Sequence, residues 1–351
     1  MNGPYLSIII TGRNDNYGGD FNDRLKCSVH WLAHWIEHYE ISAELLFVNY
    51  NPIKESRKIE EQINWPKDKR FFKTRIITVP SEIHEKYIDP VIRKTIPLFE
   101  FIAKNIGIRR AKGQFILCTN ADILFSEKLF VRLAKKDLEK GCLYRCSRLD
   151  FKMIDDRLSE NGNWGMIEDE IAKSVFKFFL QGGTYNLKFP VKLEARIKLL
   201  KYYNRFRKIY YCTLAKVPFI DKVPYLPKLF PEELFIFDYH CNACGDFALM
   251  DRSSWINFGS YPEDTWISTH TDSLHLINIV VSKIRIETWP YFIYHRDHER
   301  RFDFSKKNHD MDKMYQRLLS ETKVMLEYER PINSNNSNWG LNNVELLENT
   351  I

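Results

Sequence analysis

The chain has 351 residues, of which 44% are apolar and 28% charged. These are globular proportions and exclude a disordered chain. No stretch of about 18 apolar residues occurs, so no bilayer-spanning helix is expected, and the net charge of +6 is unevenly spread.

Leu6 to Ile10 is a short, β-branched run that stops at Thr11-Gly12-Arg13-Asn14. It predicts a buried strand ending in a polar loop. Leu25, Val29, Leu32 and Ile36 fall at helical spacing and predict a helix up to Tyr39. Glu44 to Val48, Arg75 to Val79 and Phe115 to Cys118 read as further strands. They end at Asn49-Tyr50-Asn51, at Pro80 and at Asn120-Ala121-Asp122, and a helix from Phe99 to Arg110 precedes the last. Nearly all-apolar strands alternating with helices predict an α/β fold, with a mostly parallel central sheet flanked by helices in a Rossmann-like manner. In such sheets the ligand sits beyond the carboxyl ends of the strands. Thr11 to Asp15, Asn49 to Asn51 and Asn120 to Asp122 are therefore expected around one crevice.

From Asp150 to about Glu233 the sequence turns basic and aromatic, broken by Pro190, Pro218, Pro224, Pro227 and Pro231. About a dozen Lys and Arg between Lys173 and Lys228 face only Glu194 and Asp221. Such a block fits an anionic partner, or a basic surface that merely aids solubility. Ile197 to Tyr211 reads as an amphipathic helix. With Phe176, Phe178, Phe179, Tyr202, Tyr203 and Phe206 as shallow anchors, the block would rest on an anionic membrane surface. No nucleic-acid module accompanies it, so no nucleic-acid partner is expected. Strand-like sequence resumes at Phe247 to Met250. A helix follows at Asp272 to Val281, then a strand at Ile284 to Thr288, a polar segment from Ile293 to Arg301 and a helix from Asp310 to Tyr328. The Asn- and Ser-rich stretch Asn333 to Asn338 reads as a loop.

Seven cysteines form an odd set, and Leu6 to Ile10 is too short for a signal-peptide core. Free thiols in the reducing cytoplasm are expected, with any membrane contact peripheral, at the inner face. Cys241 and Cys244 have CxxC spacing and Cys142 with Cys146 is a loose second pair, but buried thiols are the simpler reading of these four.

The most specific feature is Asn105-x-Gly107, a Gly113 turn, a strand, and Asn120-Ala121-Asp122. It resembles the family-2-like glycosyltransferases of the nucleotide-diphospho-sugar transferase (GT-A) fold, in which an Asn-x-Gly helix leads through a glycine turn to a strand ending in Asp-x-Asp. Ser7 to Thr11 with Arg13 and Asn14 is similar to that family's first strand and nucleotide loop. Gly245 to Arg252 with Gly259 to Asp264 is similar to its acceptor-side strand and turn. The resemblance implies a nucleotide-sugar-binding half over 1–150, a basic insertion over 151–235, an acceptor-side half over 236–305, and a C-terminal helix and tail over 306–351.

The activity implied is transfer of a sugar from a nucleotide-diphospho-sugar donor, a uridine diphosphate sugar first, to a glycan or lipid-linked acceptor. A divalent metal, Mn²⁺ or Mg²⁺, would offset the charge of the diphosphate leaving group. Asp122 stands at the family's metal-ligand position, and a helix cap is its alternative reading. The motif's first Asp is Asn120 here, which removes one charge. His295 would complete the metal site, and His298 shares its spacing on one face of a turn or helix. Thr11, Arg13 and Asn14 with Asn49 or Asn51 would hold nucleobase and ribose. Asn120 and Ala121 line the donor. Arg109 and Lys112 would pair with phosphate or remain exposed helix charges. Asp246 would lie near sugar or acceptor hydroxyls. Asp272 is the candidate general base, with Glu263, Asp264 and His270 as rivals and a helix cap as the plain alternative. Two further readings stay open: a nucleotidyltransferase, and a non-catalytic carbohydrate- or membrane-binding protein of the same fold.

Overall fold

The computed structural model describes residues 3–86, 96–152, 164–180, 183–186, 192–214, 239, 243–258, 260–264, 268–298, 308–332 and 335–351. The strands are β1 (Leu6–Gly12), β2 (Ala43–Tyr50), β3 (Phe72–Val79), β4 (Phe115–Cys118), β5 (Ile123–Phe125), β6 (Cys142–Phe151), β7 (Val175–Leu180), β8 (Gly183–Asn186), β9 (Ala248–Asp251), β10 (Arg285–Arg296) and β11 (Leu347–Thr350). The helices are α1 (Phe21–His38), α2 (Ile59–Gln62), α3 (Ser81–Glu85), α4 (Glu100–Arg110), α5 (Glu127–Ala134), α6 (Trp164–Ser174), α7 (Leu193–Leu214), α8 (Arg252–Asn257), α9 (Thr271–Val281) and α10 (Asn308–Tyr328).

The strands form one sheet in the order β11-β3-β2-β1-β4-β9-β6-β10-β5, with β7 and β8 added beside β6. The α/β class expected from the sequence is present, but the sheet is mixed rather than mostly parallel. The pairings β1–β2, β1–β4, β2–β3 and β6–β10 are parallel; those involving β5, β7, β8, β9 and β11 are antiparallel. β9 runs against both β4 and β6. β1, β2, β3, β4, β6 and β10 therefore all point the same way, and their carboxyl ends share one edge.

Period-two alternation divides β1 and β2 between two cores. Ile8, Ile10, Leu45 and Phe47 pack with Leu25, Val29, Leu32 and Ile36 of α1. Ile9, Leu46 and Val48 pack on the other face with α4 and α9. The Asn-x-Gly helix and its glycine turn are packing devices. A Cβ on Gly107 would stand 2.7 Å from Ile9 Cγ2, and one on Gly113 would stand 2.6 Å from the Ser7 amide nitrogen. Asn105 accepts from the Tyr261 amide at 3.1 Å and donates to its carbonyl at 2.8 Å, which fastens α4 to the Tyr261 turn.

Two expectations are corrected by longer elements. The polar segment predicted from Ile293 begins inside β10, which runs to Arg296 between β6 and β5. His295 therefore sits on a strand and not on a turn or helix. Phe178, offered as a surface anchor, is fully buried on β7, because β7 extends the sheet from β6. The C-terminal stretch is docked: Trp339 is buried against α4 and β11 pairs with β3. Cys118, Cys142 and Cys146 are buried free thiols, and Cys244 is buried beside Ser273. Cys241, all five prolines of the predicted insertion and Asn333 lie outside the described residues. No helix among the described residues is long and apolar enough to cross a membrane.

Candidate metal centre and crevice

Backbone pairing builds the centre. At the end of β4 the Thr119 amide donates to Ile9 O of β1 at 3.1 Å. The chain then turns through Asn120-Ala121-Asp122 into β5, where Ile123 is opposite His295 of β10. The Arg296 amide donates to Asp122 O at 2.9 Å, so the backbones of Asp122 and His295 are held in register by the sheet itself.

Asp122 Oδ2 lies 3.0 Å from His298 Nε2, 3.6 Å from His295 Nε2 and 3.2 Å from Arg24 Nη1. Asp122 Oδ1 is buried and has no hydrogen-bond partner. Burial works against the charged form, but His295, His298 and Arg24 outweigh it and hold this carboxyl well below the usual range. Arg24 is fixed in turn by Asp20 Oδ1 at 3.0 Å and the Tyr17 carbonyl at 2.9 Å. Behind His295, Nδ1 stands 3.3 Å from Asp150 Oδ1 at the end of β6. Burial raises the Asp150 carboxyl, yet its contacts with His295 and Arg148 bring it down to about 2.

One ligand atom each from Asp122, His295 and His298 falls within 4.8 Å of the others. The donor set fits a divalent cation on its chemistry: a carboxylate with an unpartnered buried oxygen and two imidazoles, one with a second carboxylate 3.3 Å behind its other nitrogen. Arg24 competes for Oδ2 and leaves Oδ1 as the available lone-pair donor.

No protein-family model matches this sequence, and no curated protein matches it. Among solved structures the chain is similar to "Crystal structure of GalNAc-T7 with UDP, GalNAc and Mn2+", with 12% sequence identity and a TM-score of 0.48, over 97% of this chain and 54% of that one. The chain spans about half the length of that protein. What it does is therefore read from its own residues.

A second network joins the Asn120-Ala121-Asp122 turn to the Cys244–Asp246 turn that precedes β9. Asn120 Nδ2 donates to Asp246 Oδ1 at 2.8 Å and Thr119 Oγ1 donates to Asp246 O at 2.8 Å. Arg148 of β6 ties Asp246 to Asp150, donating from Nη1 to Asp246 Oδ2 at 2.7 Å and from Nε to Asp150 Oδ1 at 2.6 Å. Asp272 Oδ2 accepts from the Gly245 amide at 2.8 Å, one residue from this network. It is the second residue of α9, whose N-cap is His270, so it is not the helix cap offered as the plain alternative; its Oδ1 also accepts from the Ser273 amide at 2.8 Å.

The other predicted residues divide. Thr11 and Asn49 lie at the ends of β1 and β2, where Gly12 is opposite Asn49, and Asn49 Oδ1 is buried without a hydrogen-bond partner. Asn14 is corrected as a nucleobase contact: its amide donates to the Ile53 and Arg57 carbonyls and its oxygen accepts from the Ile53 amide. Arg13 donates to Asn51 O and Asn51 Nδ2 to Pro97 O, so both brace the same loop. Arg109 is also corrected. It and Lys112 precede β4, at the opposite end of the strands from Asp122, and Arg109 donates to the Trp339 and Ser337 carbonyls. Glu263 accepts from Asn105 and the Gly340 amide, Asp264 pairs with Arg317 of α10, and His270 packs 5.5 Å from Tyr315. These three brace the C-terminal elements and make no bond to the Asp122 or Asp246 networks among the described residues.

Sequence reasoning missed Arg24, Arg148 and Asp150, and gave His298 no ligand role. Arg24 sits where an amphipathic helix would carry a solvated charge. The signal for Arg148 and Asp150 was their i, i+2 spacing, which puts both on the face of β6 that otherwise carries Cys142, Tyr144 and Cys146.

Proposed function

We propose that the chain is a metal-assisted glycosyltransferase of the GT-A fold, moving a sugar from a nucleotide-diphosphate donor, a uridine diphosphate sugar first, to a glycan or lipid-linked acceptor. The observation that carries this reading is the convergence of Asp122, His295 and His298 at the sheet edge where β1, β2, β4, β6 and β10 all end. The sequence resemblance expects a metal-ligating Asp there, and no cap hydrogen bond accounts for Asp122.

Asp122, His295 and His298 would hold the cation, and two imidazoles favour Mn²⁺ over Mg²⁺, which prefers all-oxygen sites. When bound, the ion supplies positive charge against the diphosphate as it leaves. Thr11 and Asn49 border the same edge and are the candidates for the nucleoside. Asp246, oriented by Asn120 and Arg148, is the candidate for a sugar hydroxyl. Asp272 is the candidate to take the acceptor proton, and the Gly245 bond orients its carboxylate for that task.

The test is hydrolysis of uridine and guanosine diphosphate sugars with Mn²⁺, without acceptor. Wild type releases nucleoside diphosphate from one donor class; Asp122→Ala and His298→Ala lose release by ~10²-fold or more. Release that is unchanged in both variants would sink the assignment.

A further inference from the structure

Helix α7 packs onto the main core through Ile197 and Leu200, with Asn204 also buried. Its outer side is unusual. Leu199, Tyr202, Phe206 and Ile209 are 64%, 63%, 71% and 56% exposed. Their spacing of three, four and three residues places them in one stripe along the helix. Exposed Lys198, Lys201 and Arg205 lie at the same period along one border of that stripe. Isolated apolar residues on a surface are ordinary, but a continuous stripe of large ones is not. Charge-bordered apolar stripes of this kind lie in the plane of a lipid headgroup layer, with the aromatic rings at the acyl boundary and the cations on lipid phosphates. The helix is far from crossing a bilayer in character, since its apolar residues are confined to separate faces.

We propose that the outer face of α7 is a docking surface for an anionic lipid bilayer. The charge bordering the stripe selects this occupant over a neutral membrane, and it is the same sign as the chain's net +6. The anchors are those of α7 alone; the sheet residues Phe178 and Phe179 take no part, Phe178 because it is buried and Phe179 because its ring packs under Arg148 and Lys177. The proposal is independent of the metal centre, because docking requires neither donor nor cation.

Flotation of the full chain with phosphatidylcholine vesicles, with and without phosphatidylglycerol, tests it. Wild type is expected to float with the anionic vesicles and remain below with neutral ones, and added salt should weaken recovery. Leu199→Ser with Phe206→Ser removes apolar anchorage; Lys198→Gln with Lys201→Gln removes charge, at roughly fivefold in partitioning per cation. All four positions are exposed, so melting temperatures near wild type confirm folding. Equal recovery on neutral vesicles, no recovery on either, or recovery unchanged in both double variants would overturn the proposal. So would a wild-type gel-filtration volume below the monomer's that rises to the monomer's only in Leu199→Ser with Phe206→Ser, since the stripe would then be a contact between copies of the chain.

Discussion

The Asn120 side-chain amide donates to Asp246 Oδ1 at 2.8 Å, while Arg148 holds the other oxygen of the same carboxylate at 2.7 Å. The amide that replaces the first Asp of the resembled motif thus has a carboxylate as its partner. An Asp at that position would face Asp246 across a hydrogen-bond distance, and like charges so placed repel or force one to take a proton. The missing negative charge is matched by its surroundings.

Asn120→Asp is accordingly expected to destabilise the fold by about 1–3 kcal/mol, read as a lowered denaturation midpoint at neutral pH. The exchanged pair Asn120→Asp with Asp246→Asn should recover most of the loss. If Asn120→Asp alone is as stable as wild type, the pairing has no energetic weight.

Asp150 acts on the centre through His295, whose Nδ1 stands 3.3 Å away. Asp150→Asn should weaken Mn²⁺ binding by about 10–100-fold, the usual effect of losing a carboxylate behind a ligating histidine. The far-ultraviolet dichroism should be preserved. Affinity equal to wild type would show that Arg148 and the sheet alone fix the imidazole.

Much of this fold was legible in the sequence because β1 to β4 are nearly uninterrupted apolar runs punctuated by polar ends. The placement of Thr11, Asn49 and Asp122 at one edge followed from that. Hydrophobic pattern reached β9 and the start of β10 but did not reveal β5 to β8. β6 carries Arg145, Arg148 and Asp150 within ten buried residues, and charges in a strand read as surface until their partners are seen. Sequence distance hid Arg24, which meets Asp122 across 98 positions. Motif matching also misled at Arg109, where the residue type suits phosphate but the α4 terminus lies at the wrong end of β4.

Arg109 instead holds the C-terminal stretch, with its guanidinium 3.7 Å over the Trp339 ring and bonds to the Ser337 and Trp339 carbonyls. Arg109→Ala should cost about 1–2 kcal/mol of stability while leaving nucleotide affinity within twofold of wild type. A selective loss of nucleotide binding, with stability intact, would restore Arg109 to the donor site.

His275 is buried, stacked on Trp255 at 5.0 Å, with Nδ1 3.0 Å from the Ser260 carbonyl. Burial holds its pKa down to about 4 from the ordinary 6.5. Between those values the unfolded chain takes up a proton that the folded chain refuses, so stability falls as pH falls through this window. The full effect is on the order of 3 kcal/mol. Denaturant titrations from pH 7 to pH 4 should show a steeper acid loss for wild type than for His275→Phe, which keeps a stacked ring without the proton. Parallel curves would assign the acid sensitivity elsewhere.

Calorimetric titration of Mn²⁺ into the protein, with uridine diphosphate present, tests the central claim most directly. Wild type is predicted to bind one ion, with affinity that rises when the nucleotide is added. Asp122→Ala and His298→Ala are predicted to lose both the ion and the nucleotide's effect. Saturable Mn²⁺ binding that survives unchanged in Asp122→Ala, or no response of wild type to ion and nucleotide together, would contradict the account.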